Sequence, residues 1–190
     1  MKIAITGHTA GLGKFLYNYF AKEGNEVIGF SRSNGFDLQH DCDKICDAAN
    51  GSDVFINNTC CLDKQLYLFN QLANNVGKMI VMGSTARLWT DILATDYAFN
   101  KKKLYEAVFN NSIDKNSTPC LHLDLSFLEI SKEYENMPNK VRSNYPIKYS
   151  EILGFVLLWL DNPVITNMQF RAIIDEDMMN ELERTRKYSN

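Results

Sequence analysis

Ala4-Ile5-Thr6-Gly7-His8-Thr9-Ala10-Gly11-Leu12-Gly13 is the stretch that decides the fold. It overlaps the first apolar run, Ile3 to Ile5, so an apolar strand enters a glycine-rich turn and the chain leaves it as a helix. Such a corner presents unpaired backbone N–H groups and a helix N-terminus, which is where a pyrophosphate is held. The three glycines divide the work: leaving the strand, letting backbone approach phosphate, and letting the helix pack closely on the sheet. The spacing is TGxxxGxG rather than GxGxxG, and alone it also fits a plain strand-turn-helix corner.

Outward from this stretch, strand and helix signals alternate along the chain. Lys2 to Thr6 reads as a strand, and Gly13 to Lys22 as a helix with Phe15, Leu16, Tyr19 and Phe20 at helical spacing, closed by Gly24. Glu26 to Phe30 is the second strand and Gly35 to Leu38 a short third, followed by a helix over Asp41 to Ala49 that ends near Gly51. Val54 to Asn58 is the fourth strand. Asp63 to Asn75 is a helix with Leu66, Phe69, Leu72 and Ala73 on one stripe, and Met79 to Met82 is the next strand. Leu93 to Phe109 reads as a helix, Cys120 to Phe127 as a strand, and Ser150 to Leu160 as a helix capped by Ser150. Gln169 to Ile174 is the last strand, and the acidic-basic tail a short helix. Repeated βα alternation with nearly continuous apolar strands implies an α/β fold: a doubly wound, mainly parallel sheet covered by helices on both faces.

The 190 residues suit one domain, spanning 1–190, with no boundary visible. The one long polar connection, Glu129 to Tyr145 before Pro146, is a candidate substrate lid rather than a linker. Hydrophobic residues at 45% and charged residues at 23% are those of an ordinary globular protein. A net charge of −3 and the lack of a basic stripe argue against nucleic acid as a partner. The longest apolar stretch, Ile152 to Leu160, is too short to span a bilayer, and the N-terminus has no charged n-region or cleavage site. The expectation is a cytoplasmic protein without a membrane partner.

Five cysteines, Cys42, Cys46, Cys60, Cys61 and Cys120, follow no disulfide framework, so reduced thiols are expected. His40, Cys42 and Cys46 do not reproduce a zinc spacing, and no metal is assigned.

Ligands of doubly wound sheets bind beyond the carboxyl ends of the strands, so the residues after each strand are the ones that carry chemistry. After the second strand stand Ser31, Arg32 and Ser33, where such folds meet the adenosine ribose. A guanidinium there pairs with a 2′-phosphate, whereas an acid would accept from a free 2′-hydroxyl, so Arg32 favours NADP(H) over NAD(H). Asp37 offers a carboxylate to an adenine amino group, or acts as a turn acid. Asn57, Asn58 and Thr59 follow the fourth strand and Ser84 the fifth. Tyr97 then opens Tyr97-Ala98-Phe99-Asn100-Lys101, and on a helix residues four apart share a face. A phenol titrates near pH ~10; a neighbouring ammonium stabilises its phenolate and brings it within reach of neutral-pH proton transfer.

In this order, TGxxxGxG, Asp37, an Asn57-Asn58-Thr59 stretch like NNAG, Ser84, and Tyr97xxxLys101, the chain resembles the short-chain dehydrogenase/reductase family over most of its length. The resemblance implies a Rossmann-like fold with the cofactor held by Gly7, His8, Thr9, Gly11, Leu12, Gly13, Ser31, Arg32, Asp37, Asn57, Asn58 and Thr59. It implies Tyr97 as acid/base, Ser84 as the group that positions the substrate oxygen, and Lys101 as the ribose ligand that also lowers the tyrosine pKa. The partner would be a small-molecule carbonyl compound or alcohol, and the chemistry hydride transfer.

The chain departs from the family in two places. The segment between Asn58 and Ser84 is short, so the helix that supplies a further active-site asparagine is trimmed, with Asn70 a candidate for that position. Where the family has Pro-Gly, the chain reads Leu123-Asp124-Leu125-Ser126-Phe127. Two functions therefore stand: an NAD(P)(H)-dependent oxidoreductase, or an NAD(P)-binding sensor without turnover. Trimming that helix also alters the surface through which many members form homo-oligomers.

Overall fold

The computed structural model describes residues 1–114, 116–126, 128, 146–163 and 167–169. Its centre is a six-stranded, wholly parallel sheet in the order β2-β1-β3-β4-β5-β6. The strands are β1 (Lys2–Thr6), β2 (Glu26–Phe30), β3 (Val54–Asn57), β4 (Lys78–Met82), β5 (Cys120–Asp124) and β6 (Asn167–Gln169). The helices are α1 (Gly11–Lys22), α2 (Cys42–Ala49), α3 (Lys64–Leu72), α4 (Thr90–Leu93), α5 (Asp96–Ile113) and α6 (Tyr149–Asp161). Two 3-10 helices, Arg32–Asn34 and Thr85–Trp89, follow β2 and precede α4.

Side chains alternate across each strand and divide the core in two. Ile3, Ile5, Val54, Ile56, Ile80, Met82, Leu121 and Leu123 face Leu12, Leu16 and Phe20 of α1 and Ile152, Val156 and Trp159 of α6. Ala4, Phe55, Met79, Val81 and Cys120 face Ile45 of α2, Leu68, Phe69 and Leu72 of α3, and Leu104 and Val108 of α5. A strand buried on both faces has no polar side to spare, which is why these runs read as nearly continuously apolar. The doubly wound parallel sheet expected from the sequence is thus the observed architecture.

The chain runs outward from β1 to β2, then crosses back over β1 to β3 and continues away from it. That reversal opens a crevice at the carboxyl ends of β1 and β3, the place where folds of this kind take their ligands.

Several boundaries differ from the sequence expectation. The short third strand over Gly35 to Leu38 does not form. Ser31 and Asn34 build a capping box on the 3-10 helix Arg32–Asn34, Gly35 takes a left-handed conformation (φ 83°), and Phe36 N–H bonds back to Ser31 O. Turn chemistry wins over a short apolar run, and the apolar side chains pack inward instead: Phe36 stands edge-on to Phe30 at 5.0 Å and Leu38 is buried. The single helix expected over Leu93 to Phe109 is two, broken where Ala94 is left-handed (φ 43°); α5 restarts with Thr95 Oγ1 accepting from Ala98 N–H. Ser150 lies inside α6, whose cap is Lys148, its N–H donating to Glu151 Oε2 at 2.9 Å. β5 stops at Asp124 rather than Phe127, and β6 starts at Asn167. The candidate lid, the rest of the last strand to Ile174 and the tail helix lie outside the described residues.

Candidate functional site

Thr6, the last residue of β1, ties the crevice together. Its Oγ1 accepts the backbone N–H of Asn58 at 2.9 Å and of Thr59 at 3.0 Å, while Asn58 Nδ2 donates to Thr6 O at 3.1 Å. Gly7 then turns away with φ 72°, and a Cβ there would overlap the Thr59 hydroxyl. A Cβ on Gly13 would overlap the Gly7 carbonyl, so the first turn of α1 lies directly on the strand exit. The turn, Asn58 and Thr59 therefore form one unit.

Helix α1 is left open at its N-terminus. Ala10 is the N-cap and has no side chain that could accept, and the first turn holds no acidic residue. Neither the N-cap side chain nor an acid in the first turn compensates the N–H groups and the positive end of the helix dipole, an arrangement suited to an anion. The residues expected there divide by role. Thr9 and Gly11 are exposed at the turn, whereas Leu12 is a core side chain that offers only its backbone. His8 folds back onto β2, its ring filling the space beside Gly29 and lying 5.0 Å from the Tyr17 ring.

Beyond β2, Arg32 is exposed on its 3-10 helix. Ser31 Oγ is engaged with Ser33 Oγ at 2.9 Å and Asn34 Oδ1 at 3.1 Å, and Asn34 Nδ2 anchors the loop to Gly29 O at 2.7 Å. Asp37 acts as a turn acid: its Oδ1 accepts from Gln39 N–H at 2.9 Å, and its own N–H donates to Asp41 Oδ2.

Ser84 follows the end of β4 as N-cap of the 3-10 helix Thr85–Trp89, on which α5, the helix that carries Tyr97 and Lys101, packs. Ser84 is buried and caps that helix, its Oγ accepting from Ala86 N–H at 3.2 Å. A hydroxyl also donates one bond and keeps a second lone pair, so the cap leaves Ser84 able to hold an oxygen. Tyr97 is 44% exposed and Lys101 3%. The Lys101 ammonium lies 5.7 Å from the Tyr97 ring centroid, within cation–π range.

Lys101 is held by a residue that the sequence reading did not single out. Its Nζ donates to Gln65 Oε1 at 2.7 Å and to Met82 O at 2.8 Å. Gln65 Nε2 donates to Asn57 O at 2.8 Å and Met82 O at 2.9 Å, and Asn57 Nδ2 returns a bond to Gln65 O at 2.8 Å. Burial pulls the Lys101 pKa below its usual value, with Cys60 and Asp124 acting in the opposite direction. Asn70, the expected asparagine candidate, is on the exposed face of α3. The signal for Gln65 was its place on the helix: it shares the buried stripe with Leu68, Phe69 and Leu72, and a lone amide in such a stripe requires buried partners.

A second unrecognised group lies behind Ser84. Arg87 pairs with the fully buried Asp124, and His122 Nδ1 is 3.6 Å from Asp124 Oδ1. A Cβ on Gly83 would overlap the His122 ring. Burial lowers the His122 pKa to about 4 and keeps the imidazole neutral at ordinary pH. His122 and Asp124 stand out in the sequence as polar residues at alternate positions of an otherwise apolar strand. All five cysteines are free thiols, with Cys42 and Cys46 half-buried against the α2–α3 core.

No family model and no curated protein matches the chain. Solved structures do. A 4-hydroxyisoleucine dehydrogenase complexed with NADH superposes with a TM-score of 0.72 at 14% identity, covering 90% of this chain and 97% of that one. A short-chain dehydrogenase from Sphingobium yanoikuyae in complex with NADPH gives 0.67 at 13% identity, covering 99% and 94%. The 3-alpha-hydroxysteroid dehydrogenase from Pseudomonas sp. B-0831 complexed with NADH gives 0.66 at 14% identity, covering 90% and 94%. With six parallel strands, an open glycine turn at the β1/β3 crevice and near-complete coverage of these neighbours, the chain has the fold of the short-chain dehydrogenase/reductases.

Proposed function

We propose that the protein is an oxidoreductase that interconverts a carbonyl and an alcohol with a nicotinamide dinucleotide, NADP(H) in preference to NAD(H). The observation that carries this reading is Tyr97 within cation–π range of the buried Lys101 ammonium, in a fold whose first helix begins at a glycine-lined turn with no side-chain cap. The fit to a dinucleotide rests on that terminus and on the exposed Arg32 beside it. When bound, the nicotinamide supplies or accepts the hydride.

The chain's own residues supply the rest. The α1 terminus and the turn at Gly7, Gly11 and Gly13 bind the pyrophosphate, and the crevice side chains Asn58 and Thr59 border the ribose. Ser84 donates its hydroxyl hydrogen to the substrate oxygen. Tyr97, 44% exposed, delivers the proton to that oxygen on reduction and takes it back on oxidation. The ammonium of Lys101 favours the phenolate left behind. Homo-oligomerisation remains compatible with this arrangement and does not enter the chemistry.

A sensor that binds NAD(P) without turnover is the second reading, favoured by the two protein acceptors that already engage Lys101. A panel of carbonyl compounds followed by NADPH oxidation separates the two. Turnover that falls roughly 100- to 10,000-fold in Tyr97→Phe supports the enzyme. Tight dinucleotide binding with no turnover across the panel supports the sensor.

A further inference from the structure

We propose that Tyr149 is a further ligand of the dinucleotide, reaching the pyrophosphate at the start of α1 from the neighbouring helix α6. The inference deepens the proposed function and rests on it for the identity of the anion.

Packing fixes where the phenol stands. Tyr149 is the first residue of α6, a helix whose Ile152, Val156 and Trp159 are buried in the same core as Leu12, Leu16 and Phe20 of α1. Its ring lies 5.7 Å from the Phe15 ring, tilted by 49°. Its hydroxyl oxygen stands 3.6 Å from the point that a Cβ on Gly11 would occupy. Gly11 and Phe15 are four apart on α1 and share a face, so the side chain runs along α1 with its ring on Phe15 and its hydroxyl at the first residue of the helix.

The hydroxyl arrives where α1 offers no side chain of its own. Ala10 cannot cap, and Gly11 is exposed with φ 53°, a backbone conformation that disfavours any residue with a Cβ. The space that a side chain at position 11 would fill is therefore open between the first turn of α1 and the phenol. A phosphate oxygen in that space takes backbone N–H groups from one side and the Tyr149 hydroxyl hydrogen from the other, since a phenol donates one bond and can accept others at the same oxygen. A bond to an anion is charge-assisted and stronger than one between neutral groups. Tyr149 is 7% exposed, so its rotamer is already set by packing, and binding costs little further ordering. The glycine turn provides backbone donors; α6 adds a side-chain donor held at a fixed place beside them.

Tyr149→Phe keeps the ring on Phe15 and removes only the hydroxyl. Binding of NADPH, NADH and ADP-ribose is measured by calorimetry, and binding of adenosine, which lacks the phosphates, by ligand-observed NMR. The three phosphate-bearing ligands should each bind the variant roughly tenfold more weakly, while adenosine stays within about twofold of the parent. A purely structural role for the hydroxyl would weaken adenosine by the same factor as ADP-ribose and would overturn the assignment. Unchanged affinity for ADP-ribose would overturn it as well, and would leave the oxidoreductase reading intact. If the parent protein binds neither dinucleotide, the oxidoreductase reading falls, and inorganic pyrophosphate, followed through the Gly11 and Leu12 amide resonances, decides the role of Tyr149 by itself. Pyrophosphate affinity lower by roughly tenfold in Tyr149→Phe would then support the ligand role. Equal affinity for the two proteins, or no pyrophosphate bound by the parent, would end it.

Discussion

Arg87 grips a single oxygen of Asp124 with two of its nitrogens, Nε at 2.6 Å and Nη2 at 2.5 Å, while its guanidinium lies 3.6 Å above the centroid of the Tyr105 ring. The pair joins the 3-10 helix that begins after Ser84 to the end of β5, and so sets where Ser84 stands. Removing one member of a buried pair leaves an uncompensated charge, which typically costs about 3–5 kcal/mol. Arg87→Met is expected to lower urea-unfolding stability by that order. Arg87→Met combined with Asp124→Leu should recover most of the loss, and a double variant as unstable as the single one would refute this account of the pair.

His122 gives stability an acid limb. Burial holds its folded pKa at about 4, below the ordinary 6.5 of an imidazole. Between those values the unfolded chain binds a proton that the folded chain does not, so stability is complete above pH 6.5 and falls as pH drops toward 4. The difference, 6.5 − 4, corresponds to about 3 kcal/mol at most. Denaturation curves at several pH values should show a steeper acid loss for the parent than for His122→Gln, and parallel curves would count against the burial of a neutral imidazole.

Gly13 should not accept alanine. The added Cβ would overlap the Gly7 carbonyl, a backbone atom that cannot move aside without shifting the strand exit. Overpacking of this kind costs about 1–3 kcal/mol, and the shift would carry the cofactor turn with it. Gly24→Ala is the control: its left-handed backbone (φ 77°) carries a penalty that Gly13, inside α1, does not have, but open space surrounds it, so it costs stability without touching the turn. Calorimetry should find dinucleotide affinity reduced in Gly13→Ala and retained in Gly24→Ala.

Arg32 is exposed and sits where a 2′-phosphate would lie under the proposed function. A charge-assisted contact of about 1.5–3 kcal/mol gives NADP(H) a roughly tenfold to hundredfold advantage. Arg32→Ala should abolish that margin with little change for NAD(H), and the margin should shrink as salt rises. Equal or tighter NAD(H) binding by the parent protein would end the preference.

The alternation of apolar runs and amphipathic stretches carried the sheet, its parallel sense and the helices on both faces, because a strand buried on two sides leaves a signature in a single chain. Gly35 to Leu38 misled for a local reason: Phe36 and Leu38 are apolar to serve the core from a loop, and the Ser31/Asn34 box decides the backbone. Tyr97 and Lys101 were legible from their spacing. Their environment was not, since Gln65 reaches Lys101 from another helix and Asp124 meets Arg87 across 37 positions of sequence. Polar residues within apolar stripes mark such clusters in advance; their partners emerge only once the chain has folded.

The loop after β2 closes on itself. Ser31, Ser33 and Asn34 satisfy one another and the end of their own strand, none of them is buried, and β2 is the outermost strand on that side of the sheet. Nothing in the two cores depends on which side chain occupies position 32. Position 32 can therefore be rewritten one residue at a time at little cost to folding, whereas the same freedom does not exist around Lys101, where Gln65, Asn57 and Met82 lean on one another.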